Sequence, residues 1–245
     1  MNIAVIPDAQ VKRGVPLDHL TWAGKYLADK RPDVIVNLGD FADMESLCSY
    51  DKGKGSFEGR RYRKDIDVAR RAMDMLLEPI RKAHGYAPRM ILTLGNHEDR
   101  ISRAIDDDPA KLQDVYSLSD LEYEKAGWKV FPYLKPTVIN GVTFCHFMPS
   151  GVMGRPCITP AAIIAKHHMS CVVGHLQGKH IAYGRRGDGK AITAIIAGSF
   201  YQHNEAYLTP LANIHWRGIF FLHEVKQGEF DEMAVSLNFL RRRYT

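Results

Sequence analysis

Leu92-Thr93-Leu94-Gly95-Asn96-His97-Glu98-Asp99-Arg100 is the stretch on which the reading of this chain turns. An apolar run ends in Gly-Asn-His-Glu, and a charged, helix-like segment follows. A buried strand that carries polar side chains to the rim of its sheet has this form. Asn and His together at such a rim suit a metal ligand beside a proton donor.

Working outward, the flanks supply more strand ends of the same kind. Asn2 to Ile6 reads as a first strand closed by Pro7-Asp8-Ala9-Gln10. Asp33 to Leu38 reads as a second, buried on both faces, that ends in Gly39-Asp40-Phe41-Ala42-Asp43. Between them, residues 16–30 have helical spacing, with Pro16 suited to a first turn. A Gly-rich loop over 51–60 precedes a long helix expected at 61–84, with Pro79 inside it as a kink or an early end. Met90 to Leu94 is the third strand. The order β-α-β-α-β, each strand ending in polar residues, is that of a doubly wound sheet, whose ligands lie beyond the carboxyl ends of its strands.

Downstream, short helical pieces reach Ala126 and break at Asp106-Asp107-Asp108-Pro109. Strands follow at 128–133 and 137–146, with Asn140-Gly141 as a hairpin turn. A loop at 149–157, a helix at 160–168 and strands at 170–175, 180–183, 191–197, 218–225 and 233–237 complete the pattern.

No repeat, low-complexity run or linker divides the 245 residues, so one domain over 1–245 is expected, with a helical insertion at about 50–85. No apolar run approaches the ~20 residues of a membrane span. The N-terminus lacks the basic and apolar regions of a signal peptide. Cys48, Cys145, Cys157 and Cys171 are scattered and read as reduced thiols, and a cytoplasmic protein is expected. The net charge of +5 favours an anionic partner. Arg60-Arg61-Tyr62-Arg63-Lys64 with Arg70-Arg71, and Arg241-Arg242-Arg243, are either nucleic-acid contacts or solvated helix faces.

Metal-type residues therefore close a strand in several places: Asp8 with Gln10, Asp40 with Asp43, Asn96 with His97, His146, and His175 with Gln177. Each alone is weak, because a lone His or Gly-Asp is more often a core histidine or a turn. The ordered set is specific. It resembles the calcineurin-like metallophosphoesterases, whose motifs run D-x-H, G-D-x-x-D, G-N-H-[ED], a lone H, and G-H-x-H. The resemblance covers roughly residues 2–225, and the Gly-Asn-His-Glu-Asp-Arg form looks like members carried by bacteriophages.

The resemblance implies an α/β fold with a central β-sandwich flanked by helices, and two divalent metal ions at the strand ends. It implies that Asp40 bridges them, that Asn96, His146 and His175 complete the second metal, and that Asp8, Gln10 and Gln177 stand at the first. His97 is then the general acid, oriented by Asp43, and Asn96 contacts the phosphate; Arg100, one helical turn beyond His97, either reaches a phosphate oxygen or is a solvated or salt-bridged helix-face residue. Metal-activated water acting on a phosphate ester is the implied chemistry. Mn²⁺ is the expected ion, with Mg²⁺, Fe, Zn²⁺ or Ni²⁺ as alternatives. Gln10 and Gln177 replace the family's histidines on one metal, and a neutral amide oxygen is the weaker, harder donor. The first site then holds a hard ion, fills only when substrate phosphate adds a ligand, or stays vacant; His180 and His203 are substitute ligands on spacing alone. The charge favours a phosphodiester, nucleotide or nucleic-acid substrate (DNA or RNA). The alternatives are a protein or small-molecule phosphomonoesterase and, in another class, a metal-poor interaction or nucleic-acid-binding module.

Overall fold

The computed structural model describes residues 1–205 and 207–245. The elements in chain order are β1 (Ile3–Ile6), α1 (Asp18–Lys30), β2 (Val34–Asn37), α2 (Tyr62–Lys82), β3 (Arg89–Thr93), α3 (Arg100–Asp107), α4 (Pro109–Leu112), β4 (Lys129–Phe131), β5 (Thr137–Ile139), β6 (Val142–Cys145), α5 (Pro160–His167), β7 (Ser170–Val173), β8 (Lys179–Arg185), β9 (Ala191–Ala197), β10 (Gly218–Lys226), β11 (Glu229–Ser236) and α6 (Leu237–Tyr244).

Two sheets stack face to face. One runs β11-β10-β1-β2-β3-β4 and the other β5-β6-β7-β9-β8. The doubly wound expectation is corrected: β1, β2, β3 and β4 pair in parallel and β10 and β11 extend that sheet antiparallel, but α1 and α2 pack together on one face while the second sheet covers the other. Alternation along β1 shows how the layers are made. Ile3 and Val5 join Phe144, Val172 and Phe220 between the sheets, and Ala4 and Ile6 face the helices with Leu20, Leu27 and Leu76. Cys145, Cys171 and Ile163 form a third cluster under α5. The result is an α/β sandwich covered by helices on both outer faces, and no helix of the described residues is long and apolar enough to cross a membrane.

Most expected elements are present, and the Asn140-Gly141 hairpin joins β5 to β6 with both turn residues at positive φ. Pro79 does not end its helix, and α2 runs on to Lys82. Its ring packs where α1 approaches most closely: a Cβ on Gly24 would lie 2.3 Å from the Leu76 carbonyl and 3.0 Å from the Pro79 ring. The stretch from 50 to 85 consists of short 3-10 turns through Phe57 and then α2, the crossover between parallel β2 and β3. The expected last strand at 233–237 proves longer, and α6 follows it unforeseen. Ser236 caps α6 by accepting the Phe239 N–H, and Leu240 anchors it in the core.

Candidate metal centre

Both sheets deliver their polar strand ends to one edge of the sandwich. Asp8 follows β1, Asp40 follows β2, Asn96 and His97 follow β3, His146 follows β6 and His175 follows β7. The glycines before these residues have a steric reason. A Cβ on Gly95 would sit 2.1 Å from Asp40 Oδ1, and one on Gly174 would sit 2.3 Å from Asp8 Oδ1. Adjacent loops touch backbone to carboxylate, which only glycine permits.

Glu98 ties two of these loops together, a role the sequence reading did not assign. It is fully buried. Its Oε2 accepts the N–H groups of Asp40 and Gly95 at 2.9 Å each, and its Oε1 accepts the Ala42 N–H at 3.0 Å and the Tyr123 hydroxyl at 3.3 Å. Burial and the neighbouring Asp40 both push its carboxyl above the usual range.

Four electron-rich atoms converge beside Asp40. His146 Nε2 lies 2.9 Å from Asn96 Oδ1, 3.2 Å from His175 Nδ1 and 3.4 Å from Asp40 Oδ2, and His175 Nδ1 lies 2.8 Å from Asn96 Oδ1. His146 Nδ1 is 2.8 Å from the Leu38 carbonyl. That carbonyl only accepts, so Nδ1 donates, and Nε2 of the neutral ring is a lone pair turned inward. Among these atoms the neutral side chains can place one proton at most, on His175 Nδ1. A cation satisfies all four together, so this half of the centre fits a divalent metal. The field agrees. Burial opposes a charge on His146, yet Asp40, with Asp8 behind it, pushes His146 up to about 9. Burial and His146 together depress His175 to about 4. Burial also opposes ionisation of Asp40, but His146 and His97 hold its carboxyl well below the usual range.

The other half is different. Asp8 Oδ1 accepts the His175 N–H at 3.0 Å, while Oδ2 is buried without a partner, an open acceptor suited to a metal. Burial, with Asp40 adding to it, raises the Asp8 carboxyl to about 7. The two glutamines are already engaged. The Tyr207 hydroxyl donates to Gln10 Oε1 at 3.3 Å, and the Tyr201 hydroxyl donates to Gln177 Oε1 at 2.8 Å. His203 bonds Glu205 at 2.6 Å, and His180 is exposed on β8.

His97 is buried at the edge of the centre. Its Nε2 is 3.6 Å from Asp40 Oδ2 and its Nδ1 is 3.0 Å from Asp43 Oδ1, a close contact that lies off the hydrogen-bond axis. Burial works against a charge on His97, but Asp40 and Asp43 outweigh it and raise its pKa. Asp43 is itself held in place: Arg100 donates to its carbonyl at 2.6 Å and its Oδ1 at 3.1 Å, and Lys12 Nζ is 3.1 Å from Oδ2. Burial opposes ionisation of Asp43 as well; His97, Lys12 and Arg100 overcome it and keep the carboxylate ionised. Lys12 also grips buried Glu205 at 2.6 Å. Neither residue was singled out from sequence, because a lone Lys and a distant Glu carry no motif.

A cleft of about 630 Å³ opens from Asn96 and His175 between the 46–52 segment and the loop after β6, with α3 along its floor. The arginine cluster is partly spent on the protein itself: Arg60 pairs with Asp51 at 2.8 Å and Arg70 with Glu122 at 3.4 Å.

The strand-end carboxylates and histidines around an Asn-His pair define a metal-dependent phosphoester hydrolase. The chain belongs to the calcineurin-like phosphoesterase family, whose family model matches residues 1–175. Membership makes it a metal-dependent phosphoesterase and implies a two-metal centre. No curated protein matches the chain. A dimetal phosphatase from Danio rerio aligns at 12% identity over 97% of this chain and 96% of its own, with a TM-score of 0.46. A second solved chain aligns at 12% identity over 96% and 99%, with a TM-score of 0.47.

Proposed function

We propose that the protein is a phosphodiesterase acting on nucleotide-type esters, with residues 1–245 working as one cytoplasmic domain. The observation that carries the reading is the convergence of His146, His175, Asn96 and Asp40 on one point, with His97 at its edge and its Nδ1 3.0 Å from Asp43. Asp40, Asn96, His146 and His175 would hold one ion. Asp8 and Asp40 would hold the second, with the tyrosine-bonded Gln10 and Gln177 as weak amide ligands and substrate phosphate as an added donor. Mn²⁺ suits this mixed nitrogen and oxygen set. Bound ions at this place supply Lewis acidity and lower the pKa of a coordinated water.

The chain's own groups do the rest. His97 gives its proton to the departing ester oxygen, and Asp43 keeps the imidazole oriented and charged until that moment. Arg100 and Lys12 fix Asp43 from either side. The Asn96 amide and Arg100 border the phosphoryl position, and the 46–52 segment forms a wall of the cleft.

The test is hydrolysis of bis-p-nitrophenyl phosphate and p-nitrophenyl phosphate by the Mn²⁺-loaded protein. The diester is expected to turn over faster, and His97→Ala to lose kcat by roughly 10²–10⁴-fold on a dinucleoside monophosphate, whose alkoxide leaving group needs the proton, and far less on the p-nitrophenyl esters. Preference for the monoester would replace the diesterase reading with a phosphomonoesterase. Turnover of neither, with any divalent ion, would leave a binding module.

A further inference from the structure

The cleft beside Asn96 and His175 has an unusual charge balance for a site that handles phosphate. Its cations are not free: Arg100 is bound to Asp43, and Arg103 is bound to Asp99 at 3.2 Å and to the Asn96 carbonyl at 2.7 Å. Lys52 is the one lining cation without an ion-pair partner among the described residues. Against it stand Asp106, Asp107 and Asp108, of which Asp108 pairs with Lys111 at 2.9 Å. A second phosphate placed here would meet unpaired carboxylates, and like charges in a half-enclosed cleft repel.

What the cleft offers instead is aromatic surface. Its inner end is backed by the buried Phe147 ring, 4.9 Å from that of His175. It continues to Tyr133, 6.0 Å from Phe147. Farther along is Tyr116, braced by a stack on Tyr62 at 3.8 Å and 15°. Tyr50 stands on the opposite wall, 84% exposed. Flat π-surfaces of this kind hold nucleobases by stacking. Carboxylates at the rim accept hydrogen bonds from exocyclic amino groups. The volume of about 630 Å³ lies within the range of small-molecule pockets.

We infer that this cleft is a nucleoside subsite that seats one uncharged, amino-bearing base of a short phosphodiester and disfavours polyphosphates and continuous polynucleotides. The inference rests on the phosphodiesterase reading and narrows it. Scission occurs at the phosphate next to the seated nucleoside: water adds to phosphorus, and the ester oxygen leaves with a proton.

Two measurements on the full chain separate this inference from the reading beneath it. In the first, adenosine is titrated by calorimetry into the Mn²⁺-loaded protein, and uridine alongside it. In the second, kcat/KM is compared for adenylyl-adenosine, uridylyl-uridine, a 20-nucleotide oligoadenylate and bis-p-nitrophenyl phosphate. Expected are measurable adenosine binding, weaker uridine binding, and preference for adenylyl-adenosine over the oligoadenylate per cleavable bond. Tyr50→Ala, at a position too exposed to threaten the fold, is expected to weaken adenosine binding roughly ten-fold. Asp107→Lys is expected to raise activity on the oligoadenylate. Hydrolysis of the synthetic diester without adenosine binding, or equal or better use of the oligoadenylate, overturns the subsite and leaves the phosphodiesterase standing. Adenosine binding without hydrolysis of any ester overturns the phosphodiesterase reading and leaves the subsite.

Discussion

Replacing Glu98 by Gln should be among the most damaging single-atom changes available in this protein. The side chain is fully buried, and its two oxygens accept three backbone N–H groups and one hydroxyl. Glutamine must put an NH₂ where one oxygen stood. At the Oε2 position it would face both Asp40 and Gly95 N–H groups. At the Oε1 position it faces only the Ala42 N–H, because the Tyr123 hydroxyl can turn and accept. The cheaper orientation therefore orphans one buried N–H, at about 1–3 kcal/mol. The two bonds that survive lose their charge assistance, roughly 1 kcal/mol each. Burial and Asp40 already work against the Glu98 charge, so its removal returns part of this. A net loss of about 2–4 kcal/mol remains, which for a chain of this size lowers the melting temperature by roughly 4–16 °C. The two loops that carry Asp40 and Asn96 also lose their common anchor, so cation affinity should fall with stability. Thermal melting by circular dichroism and calorimetric Mn²⁺ titration check both. A Glu98→Gln protein that melts within about 2 °C of the parent and binds cation as tightly would refute the claim that Glu98 assembles the site.

Four further outcomes are expected. Gly95→Ala places a Cβ 2.1 Å from Asp40 Oδ1 and must displace the Asp40 carboxylate, so diester hydrolysis should drop by about 10²-fold; steady-state kinetics near the parent values would contradict it. His146→Ala should remove one tightly held cation per chain, read by elemental mass spectrometry after Mn²⁺ loading, with unchanged metal content counting against the assignment. Asp43→Asn removes a group that raises the His97 pKa, so the alkaline limb of kcat should move to lower pH, and an unmoved limb would separate the two residues. His19 is fully buried against Phe200, and burial, with His203 adding to it, lowers its pKa from 6.5 to about 3. The fold thus favours the neutral ring, and this stabilisation is complete above about pH 6.5 and lost as pH falls toward 3. At pH 5 the loss is about 2 kcal/mol, so His19→Phe should flatten the acid side of the stability profile, and parallel profiles would show that His19 is not the group responsible.

Much of the fold was legible because its signals are local. Val34 to Asn37 must be a buried strand whatever surrounds it, and Asn140-Gly141 must turn. What was not legible depends on partners distant in sequence. A proline inside α2 reads as a breaker, yet Pro79 is accommodated because Gly24 of α1 leaves room for its ring. The last helix was hidden by its arginines, which look like a tail until Leu240 is seen to be buried. Its one local signal was Ser236, an N-cap before a run of helix formers.

The site divides the same way, and the division bears on its chemistry. Strand-end ligands announce themselves, because a polar residue after a buried apolar run has few other reasons to be there. Residues that hold those ligands do not. Lys12 and Glu205 are 193 positions apart and meet at 2.6 Å beside Asp43, while Tyr201 and Tyr207 reach the two glutamines from a segment with no motif. On one side of Asp40, three side chains present atoms that one cation can satisfy together. On the other, both amide oxygens already have proton donors, and Asp8 alone keeps an open acceptor. Affinity for cation follows the number of donors left unsatisfied by the protein, so the two halves must differ in strength. The weaker half gains most from an added anionic oxygen, and the ligand that brings one is the substrate's phosphate. On the proposed function, Gln10 and Gln177 therefore need not silence the centre, because substrate phosphate would supply the anionic oxygen its weaker half lacks.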